Sequence, residues 1–329
     1  MPSLCPVPLN RPVQRLIARP SAALAPVVRR MPDFSRKSAD SADSAEIAEI
    51  AEIAASARPS RPVRGLIFEV REFALHDGPG VRTSVFFKGC PLRCRWCHNP
   101  ESQAPTPELL LNRSRCSGCG ACEKICDAAL SRSRRDVCVA CGRCVDRCPQ
   151  GARNLCGWET DVPTLVERLL RQRDLFELSG GGVTLTGGEP LFQPEFAVEL
   201  ARALRDGGIH VALETCGFAS PEVFDALTSC VDLIYFDVKI LDPERSRRWT
   251  GVDSAPILAN LRRLCASGRP FVVRTPSIPG VNDSPAERAA VERLVDGVPS
   301  ALGVEFLPYN VAAGAKYALL DRRFDPDLP

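Results

Sequence analysis

The sequence has 329 residues, enough for one large domain or two modest ones. Its 42 basic and 40 acidic residues leave a net charge of +2, so no strong field points to nucleic acid or to an anionic membrane as a partner. No apolar run approaches the roughly eighteen residues of a spanning helix, and the 16 cysteines favour metal ligation in a reducing compartment over a secreted disulfide scaffold. These features predict a cytoplasmic protein that binds neither membranes nor nucleic acid.

Residues 1–62 are rich in Ala, Pro, Ser and Arg and contain repeated Ser-Ala-Asp and Ala-Glu-Ile triplets. A period of three drifts around a helix and forms no stable apolar face, which predicts a disordered N-terminal extension. The arginines near the start superficially resemble a transit peptide, but the continuous apolar centre of a signal peptide is missing, so export is not expected.

From Gly65 onward, β-rich runs alternate with helical patterns. Asp161 is placed to cap a helix over 161–176, whose apolar residues recur at helical spacing. The other predicted helices lie near 194–206, 221–229, 255–267 and 285–296, and the predicted strands at 81–87, 182–186, 210–215, 233–239, 271–276 and 303–308. Repeated units of this kind predict a parallel sheet with right-handed crossovers. Six units are fewer than the eight of a closed barrel, which leaves a partial barrel or an open doubly wound sheet.

Three cysteines, Cys90, Cys94 and Cys97, follow the first of these strands with the spacing C-x3-C-x2-C. The loop has one aromatic residue and no apolar run, so it is not expected to form a core. Three thiolates can bind three irons of a 4Fe-4S cube and leave the fourth iron open to a small molecule. The alternatives are free thiols or a zinc site completed by His98, although zinc sites usually pair cysteines as C-x2-C with a second pair elsewhere.

A cysteine-dense stretch interrupts the alternation and is predicted to be an inserted module, residues 108–152. It contains two copies of C-x2-C-x2-C-x3-C, the ferredoxin spacing for two 4Fe-4S clusters, in which the fourth cysteine of each run ligates the other cluster. The spacing assigns one cluster to Cys116, Cys119, Cys122 and Cys148, and the other to Cys126, Cys138, Cys141 and Cys144. The cysteines outside these runs, interpreted mostly as small buried apolar residues, are Cys5, Cys156, Cys216, Cys230 and Cys265.

Polar motifs follow the later strands, at the end where ligands collect in parallel folds. In "TGGEP", Gly187 and Gly188 let a ligand approach the backbone, and Glu189 offers a carboxylate to an ammonium group; a sharp turn without a ligand is the alternative. In "DVK", Asp237 and Lys239 lie on one face, and their charges need either a zwitterionic ligand or each other as partners.

The segment "HDGPGVRTSVFFKGCPLRCRWCHNPE" closely resembles the opening of the glycyl-radical-enzyme activating enzymes, such as that of pyruvate formate-lyase, within the radical S-adenosylmethionine (SAM) superfamily. The similarity continues through "SGGGVTLTGGEPLFQPEF", "LETCGF", "DLIYFDVK", "VVRTPSIPGVND" and "FLPYN", and covers Gly65 to Leu320. It implies an α/β fold in which residues 63–329 form a partial (β/α)6 barrel that carries the ferredoxin-like two-cluster module.

The resemblance also implies a SAM pocket. Glu189 would receive the methionine amino group, and Arg274, whose fork suits a carboxylate or hydroxyls, would join the same pocket. Glu214 stands where relatives often have Asp, and Asn310 replaces a histidine expected near the ribose while keeping hydrogen-bonding capacity. The implied SAM-binding residues are Trp96, Cys97, His98, Gly187, Gly188, Glu189, Glu214, Asp237, Val238, Lys239, Arg274 and Asn310.

The implied function is that of an anaerobic oxidoreductase. One electron from the three-cysteine cluster cleaves SAM to a 5'-deoxyadenosyl radical, which installs a glycyl radical on a partner glycyl radical enzyme. The implied cofactors are SAM and three 4Fe-4S clusters, and the implied electron donor is a flavodoxin or a ferredoxin-type protein. Because the cofactors perform the chemistry, no side chain need act as a general acid or base. The alternatives are a radical SAM enzyme acting on a small molecule or RNA, and an iron–sulfur electron carrier.

Overall fold

The structure, a computed structural model, describes residues 62–126, 138–325 and 328. The predicted extension at residues 1–62 and Cys5 therefore lie outside the described residues, apart from residue 62 itself. Within the described ranges, no helix combines the length and the apolar character needed to cross a bilayer.

The described residues contain one large and one small β-sheet. The strands are β1 (Arg64–Ala74), β2 (Arg82–Phe87), β3 (Glu108–Leu111), β4 (Arg153–Cys156), β5 (Trp158–Asp161), β6 (Gly182–Gly187), β7 (Val211–Thr215), β8 (Leu233–Asp237), β9 (Phe271–Ser277) and β10 (Ala301–Pro308). The large sheet has the order β10-β9-β8-β7-β6-β2-β1-β5, whereas β3 and β4 pair separately as an antiparallel ribbon.

The α-helices connect these strands. They are α1 (Ala121–Lys124), α2 (Arg143–Asp146), α3 (Val162–Leu170), α4 (Arg173–Ser179), α5 (Pro194–Asp206), α6 (Pro221–Thr228), α7 (Pro243–Thr250), α8 (Ser254–Ser267), α9 (Pro285–Glu292) and α10 (Gly314–Leu319). The two shortest, α1 and α2, each begin inside one of the two cysteine runs.

The predicted parallel sheet is confirmed. Strands β2, β6, β7, β8, β9 and β10 pair in parallel, close to the six predicted positions. Four further strands escaped prediction: β3 and β4 of the ribbon, and β1 and β5 of the large sheet. The charged sequences of β1 and β5 lack a clear apolar alternation; β1 pairs antiparallel with β2, and β5 with β1. The sheet is open, because β10 and β5 lie at its two edges.

The helix predicted over 161–176 is two helices, α3 and α4, which meet at a turn near Arg171 and Gln172. The predicted cap is confirmed, because the Asp161 side chain accepts a hydrogen bond of 2.9 Å from the backbone N–H of Thr164. The strand predicted over 233–239 ends at Asp237, so the last two residues of "DVK" lie beyond it.

The two faces of the sheet differ in chemistry because successive strand residues point to opposite sides. One face packs against α3, α4, α5, α6, α8 and α9 and forms the main core, with Val85, Leu185, Leu213, Phe236 and Val273 contributed by the central strands. The opposite face is buried but largely polar, and carries Arg82, Ser84, Thr184, Thr186 and Arg274. Ligand chemistry is therefore confined to the face without these helices.

Truncating Leu185, which is fully buried on β6, tests the helix-covered core. Leu185→Ala is expected to lower the free energy of unfolding of the apoprotein by about 2–5 kcal/mol, because it removes apolar contacts and leaves a cavity. Urea unfolding followed by circular dichroism measures the change. The matched substitution Leu178→Ala, at a side chain that is 88% exposed on α4, should stay within about 0.5 kcal/mol of wild type. Equal losses in the two variants would contradict this account of the core.

Candidate functional site

A cavity of about 220 Å³ lies where the loops at the carboxyl ends of the parallel strands converge. It unites the cysteine loop with the segments that end β6, β7 and β8, although these are up to 149 positions apart in sequence, from residue 90 to residue 239. The predicted residues that line it are Cys90, Cys94, Trp96, Cys97, His98, Gly187, Gly188, Glu189, Glu214, Asp237 and Lys239. Most of the predicted SAM pocket thus occupies one place.

The three thiols of the cysteine loop all face this cavity. Cys94 is buried, and Cys90 and Cys97 are half-buried. Desolvation raises the pKa of each thiol, and that of Cys94 reaches about 12 although Lys239 opposes the rise. Within the described ranges, no three His, Cys, Asp or Glu side chains converge on the position of one metal ion. Cube ligands bind separate irons and need no such convergence, so the three thiols remain compatible with a 4Fe-4S cube.

The expectation that this loop forms no core is wrong. Leu92 and Trp96, only 2% and 3% exposed, pack with Cys94, Ile240 and Ile278 in a second hydrophobic cluster. Two isolated apolar side chains suffice because the loops after β8 and β9 supply the opposing surface. Trp96 also lies 6.2 Å from Trp249 of α7, measured between ring centroids, so the loop packs against that helix.

Glu189 is held on the floor of the pocket. Its side chain is 1% exposed, and its carboxylate accepts hydrogen bonds from the Thr215 hydroxyl (2.7 Å), the Cys216 N–H (2.7 Å) and the Leu191 N–H (3.1 Å). Desolvation raises the pKa of Glu189 despite these bonds. A carboxylate has about four acceptor sites, so one remains for an ammonium group. Both predicted readings of "TGGEP" are therefore compatible with the geometry, since the turn and the free acceptor coexist.

Asp237 and Lys239 pair with each other, with 2.8 Å between Oδ2 and Nζ, as one of the two predicted alternatives expects. Both side chains also line the cavity. Desolvation disfavours the charge of Lys239, but Asp237 and the thiol of Cys94 outweigh it and raise the pKa of the amine. A cation is therefore maintained beside the cysteine loop.

Arg274 lies next to the pocket and not in its lining. Its guanidinium bonds Glu214 and, at 2.8 Å, Glu305, and it stacks 3.5 Å from the ring centroid of Tyr235. Glu214 in turn accepts a 2.6 Å hydrogen bond from Thr186 and does line the cavity. The arginine predicted to touch the cofactor thus positions a carboxylate that faces the cavity.

Two further predicted residues lie away from the cavity lining. Val238 is 1% exposed and belongs to the main core. Asn310 is exposed, and its side chain accepts a 3.0 Å hydrogen bond from the N–H of Ala312 at the start of a short 3-10 helix. Their roles as cofactor contacts stay predictions.

Sequence reasoning missed several residues of the pocket. Thr186 lies on the same sheet face as Glu214, a position that strand alternation could have revealed. Cys216, interpreted as a small apolar residue, is indeed 5% exposed but also lines the cavity and donates its N–H to Glu189. Gln103 lines the cavity together with Cys97, and no local pattern marks it.

A buried lysine links the cysteine loop to the predicted module. Lys88 is fully buried, and its amine donates to the carbonyl of Glu101 (2.6 Å) and the carboxylate of Glu108 (3.1 Å), the first residue of β3. Arg322 also bonds Glu108 at 2.6 Å, and Lys316 bonds Glu101 at 2.6 Å. The polar network fixes β3 relative to the end of β2.

The cysteine runs lie between β3 and β4. A second cavity, of about 310 Å³, is lined by Cys116, Cys119, Cys122 and Cys148 together with Arg113 and Arg153. The fourth cysteine of the second run therefore meets the first three of the first run, as the ferredoxin spacing predicts. Four thiols around one cavity fit a cube with four protein ligands. The other predicted set consists of Cys126, Cys138, Cys141 and Cys144. The structure describes all four residues, but not residues 127–137 between the first two.

The Radical SAM superfamily profile matches residues 84–291. The isethionate sulfite-lyase activating enzyme of Nitratidesulfovibrio vulgaris is 40% identical over 274 residues, which cover 78% of this chain and 88% of that protein. The choline trimethylamine-lyase activating enzyme of Oleidesulfovibrio alaskensis is 40% identical over 78% of this chain and 87% of its own length. For the benzylsuccinate synthase activating enzyme of Thauera aromatica, identity is 40%, with coverage of 78% and 82%.

The chain therefore belongs to the radical SAM superfamily of enzymes. Within that superfamily it belongs to the activating enzymes of glycyl radical enzymes, as its sequence motifs predicted.

The carboxyl of Glu214 provides a test of the pocket's electrostatics. Its pKa rises from 4.5 to about 7 through desolvation, which Arg274 only partly offsets. The folded state then holds this proton to a higher pH than the unfolded state does, so the free energy of unfolding should fall between pH 4.5 and 7. Urea unfolding of the apoprotein at pH 5 and at pH 7.5 measures how far the free energy of unfolding falls between the two pH values. In Glu214→Gln this fall should be smaller than in wild type by up to about 3 kcal/mol.

The control for this test is Glu305→Gln, which removes the other carboxylate bonded to Arg274 from a side chain that is 48% exposed. It should retain the pH dependence of wild type. Identical pH profiles for wild type and Glu214→Gln would contradict the assignment.

Proposed function

We propose that this chain cleaves SAM reductively and uses the resulting 5'-deoxyadenosyl radical to install a glycyl radical on a partner enzyme. The observation that carries the proposal is the convergence of three thiols, Glu189 and the Asp237–Lys239 pair on one cavity at the carboxyl edge of a parallel sheet. That cavity offers thiolates for a cluster and charges of both signs for the amino-acid part of SAM.

Each residue has a defined part in the proposal. Cys90, Cys94 and Cys97 hold a 4Fe-4S cube, which supplies the electron that cleaves bound SAM. Glu189 receives the SAM amino group through its remaining acceptor site, while the Lys239 ammonium, held by Asp237, attracts the carboxylate. His98 has a buried Nε2 without a hydrogen-bond partner in the described residues, which supports its contact with the cofactor.

The six parallel strands are proposed to form a partial (β/α)6 barrel within residues 63–329. The module at residues 108–152 is proposed to be ferredoxin-like and to bind two further 4Fe-4S clusters, giving three in all. The cavity shared by Cys116, Cys119, Cys122 and Cys148 supports the first of these. Since the cube held by three cysteines must be reduced before SAM is cleaved, the module clusters are proposed to relay electrons from a flavodoxin or ferredoxin-type donor.

The protein substrate is proposed to be a glycyl radical enzyme of small-molecule metabolism. The relatives are named for activating isethionate sulfite-lyase, choline trimethylamine-lyase and benzylsuccinate synthase, which are different reactions at similar identity. Identity alone therefore does not choose the partner's substrate. The proposed setting is an anaerobic cytoplasm.

The central test is an anaerobic assay of the reconstituted protein with SAM and dithionite. Wild type should produce 5'-deoxyadenosine, and Cys94→Ala should lose more than the 10- to 100-fold that outer-sphere changes typically cost, because an iron ligand is removed. Cys265→Ala, at a half-buried cysteine outside the cluster runs, is the matched control. A glycyl radical signal in a candidate partner, detected by electron paramagnetic resonance, completes the test. Deoxyadenosine production that persists in Cys94→Ala would contradict the cluster assignment, and its absence from wild type would leave an electron carrier as the better account.

The relay is tested separately with Cys119→Ala, which removes one ligand from the first module cluster. The variant should lose about four irons and accept electrons more slowly from a protein donor, while dithionite still supports SAM cleavage. Stopped-flow reduction kinetics and iron analysis measure both effects. A folded variant that lacks those irons yet is reduced at the wild-type rate would show that the module does not carry the electrons.

A further inference from the structure

Arg153 lies beside the cysteines of the first predicted module cluster. It is the first residue of β4, pairs in register with Leu111 of β3, and is only 7% exposed. Its side chain lines the same cavity as Cys116, Cys122 and Cys148. The antiparallel ribbon therefore fixes the point from which the guanidinium reaches the cysteines.

The guanidinium shares a cavity lining with Cys122 and interacts electrostatically with the thiols of Cys122 and Cys144. By the ferredoxin spacing, Cys122 belongs to the first cluster and Cys144 to the second. Within the described ranges, no carboxylate forms an ion pair with Arg153. One buried cation thus acts electrostatically on one predicted ligand from each set.

A buried cation is costly unless negative charge balances it. Neutral thiols balance it poorly, whereas thiolates bound to iron carry the needed charge. The planar guanidinium of arginine has five N–H donors and can donate hydrogen bonds to two sulfur atoms at once. A lysine ammonium at the same place is less suited to this, because its charge is compact and its donors are not arranged in a fork. Hydrogen bonds to sulfur and nearby charge are the features by which a protein sets the reduction potential of such clusters. Because reduction adds negative charge, a fixed cation beside the sulfurs favours the reduced form.

We propose that Arg153 is a positioning residue that donates to one thiolate of each module cluster and raises the reduction potentials of both. The proposal rests on the two-cluster assignment made under the proposed function. Its consequence is that both clusters accept electrons from a donor that is too weak to reduce them in the absence of the cation.

The test is a redox titration of the full chain, monitored by electron paramagnetic resonance. All proteins carry Cys94→Ala, which removes the signal of the cluster in the SAM pocket and leaves the module clusters. Arg153→Gln should lower both module potentials, with at least a tenfold fall in the ratio of reduced to oxidised cluster at a fixed potential, or about 59 mV for a one-electron couple. Arg153→Lys, which keeps the charge but not the fork, should fall between Arg153→Gln and wild type.

Arg147→Gln is the matched control, because it removes the same charge from an exposed residue of the same module, where water screens it. Equal shifts in Arg147→Gln and Arg153→Gln, or a shift of only one cluster, would overturn the proposal. Loss of module iron from both Arg153 variants would also overturn it, since the residue would then only support the fold. If the Cys94→Ala parent itself holds far fewer than about eight irons, the two-cluster assignment fails first, and this proposal with it.

Discussion

The alignment of six parallel strands is the constraint on which the site depends. Parallel strands present their carboxyl ends at one edge, so the loops after β2, β6, β7 and β8 converge although long helical crossovers separate them in sequence. Alternation along each strand then directs apolar residues to the helices and polar ones to the other face. Because those polar side chains are buried, each must find a partner: Arg82 bonds Thr184 at 2.6 Å, and Thr186 bonds Glu214.

The charged groups of the pocket already have partners within the protein. Glu189 accepts three hydrogen bonds, Lys239 is held by Asp237, and Glu214 is held by Arg274 and Thr186. Such pairing offsets the desolvation cost of each charge and keeps it oriented. A zwitterionic ligand would add to these contacts and need not replace them, since each carboxylate retains acceptor capacity. Preorganisation of this kind lowers the cost of ordering on binding.

The module is joined to the strand scaffold by a polar network centred on Lys88. The amine is fully buried and bridges Glu101, which follows the cysteine loop, to Glu108 at the base of β3. Its charge has no access to water, so displacement of β3 would leave a buried cation without its partner. The network therefore resists movement of β3 relative to the cysteine loop.

Much of the chemistry was determined by local sequence. Strand and helix periodicity identified the six parallel strands, and turn and cap residues such as Asp161 were recognisable because their interactions span only a few residues. Cysteine spacing predicted both kinds of cluster motif. Residues at strand ends, among them Glu189 and Asp237, could be assigned to one pocket because parallel topology brings such positions together. The charged strands β1 and β5 were missed, since their pairing depends on neighbours and not on their own alternation.

Long-range contacts were decided by the tertiary structure alone. No sequence pattern indicates that Arg274 forms an ion pair with Glu214, 60 positions away, and lies outside the cavity lining. Nor does any pattern indicate that Leu92 and Trp96 anchor the cysteine loop in a second hydrophobic cluster. The proximity of Arg153 to Cys122 is equally invisible in the sequence, because it requires the β3–β4 ribbon to bring distant segments into register. Sequence thus specified which functional groups the chain carries, and packing determined which of them touch.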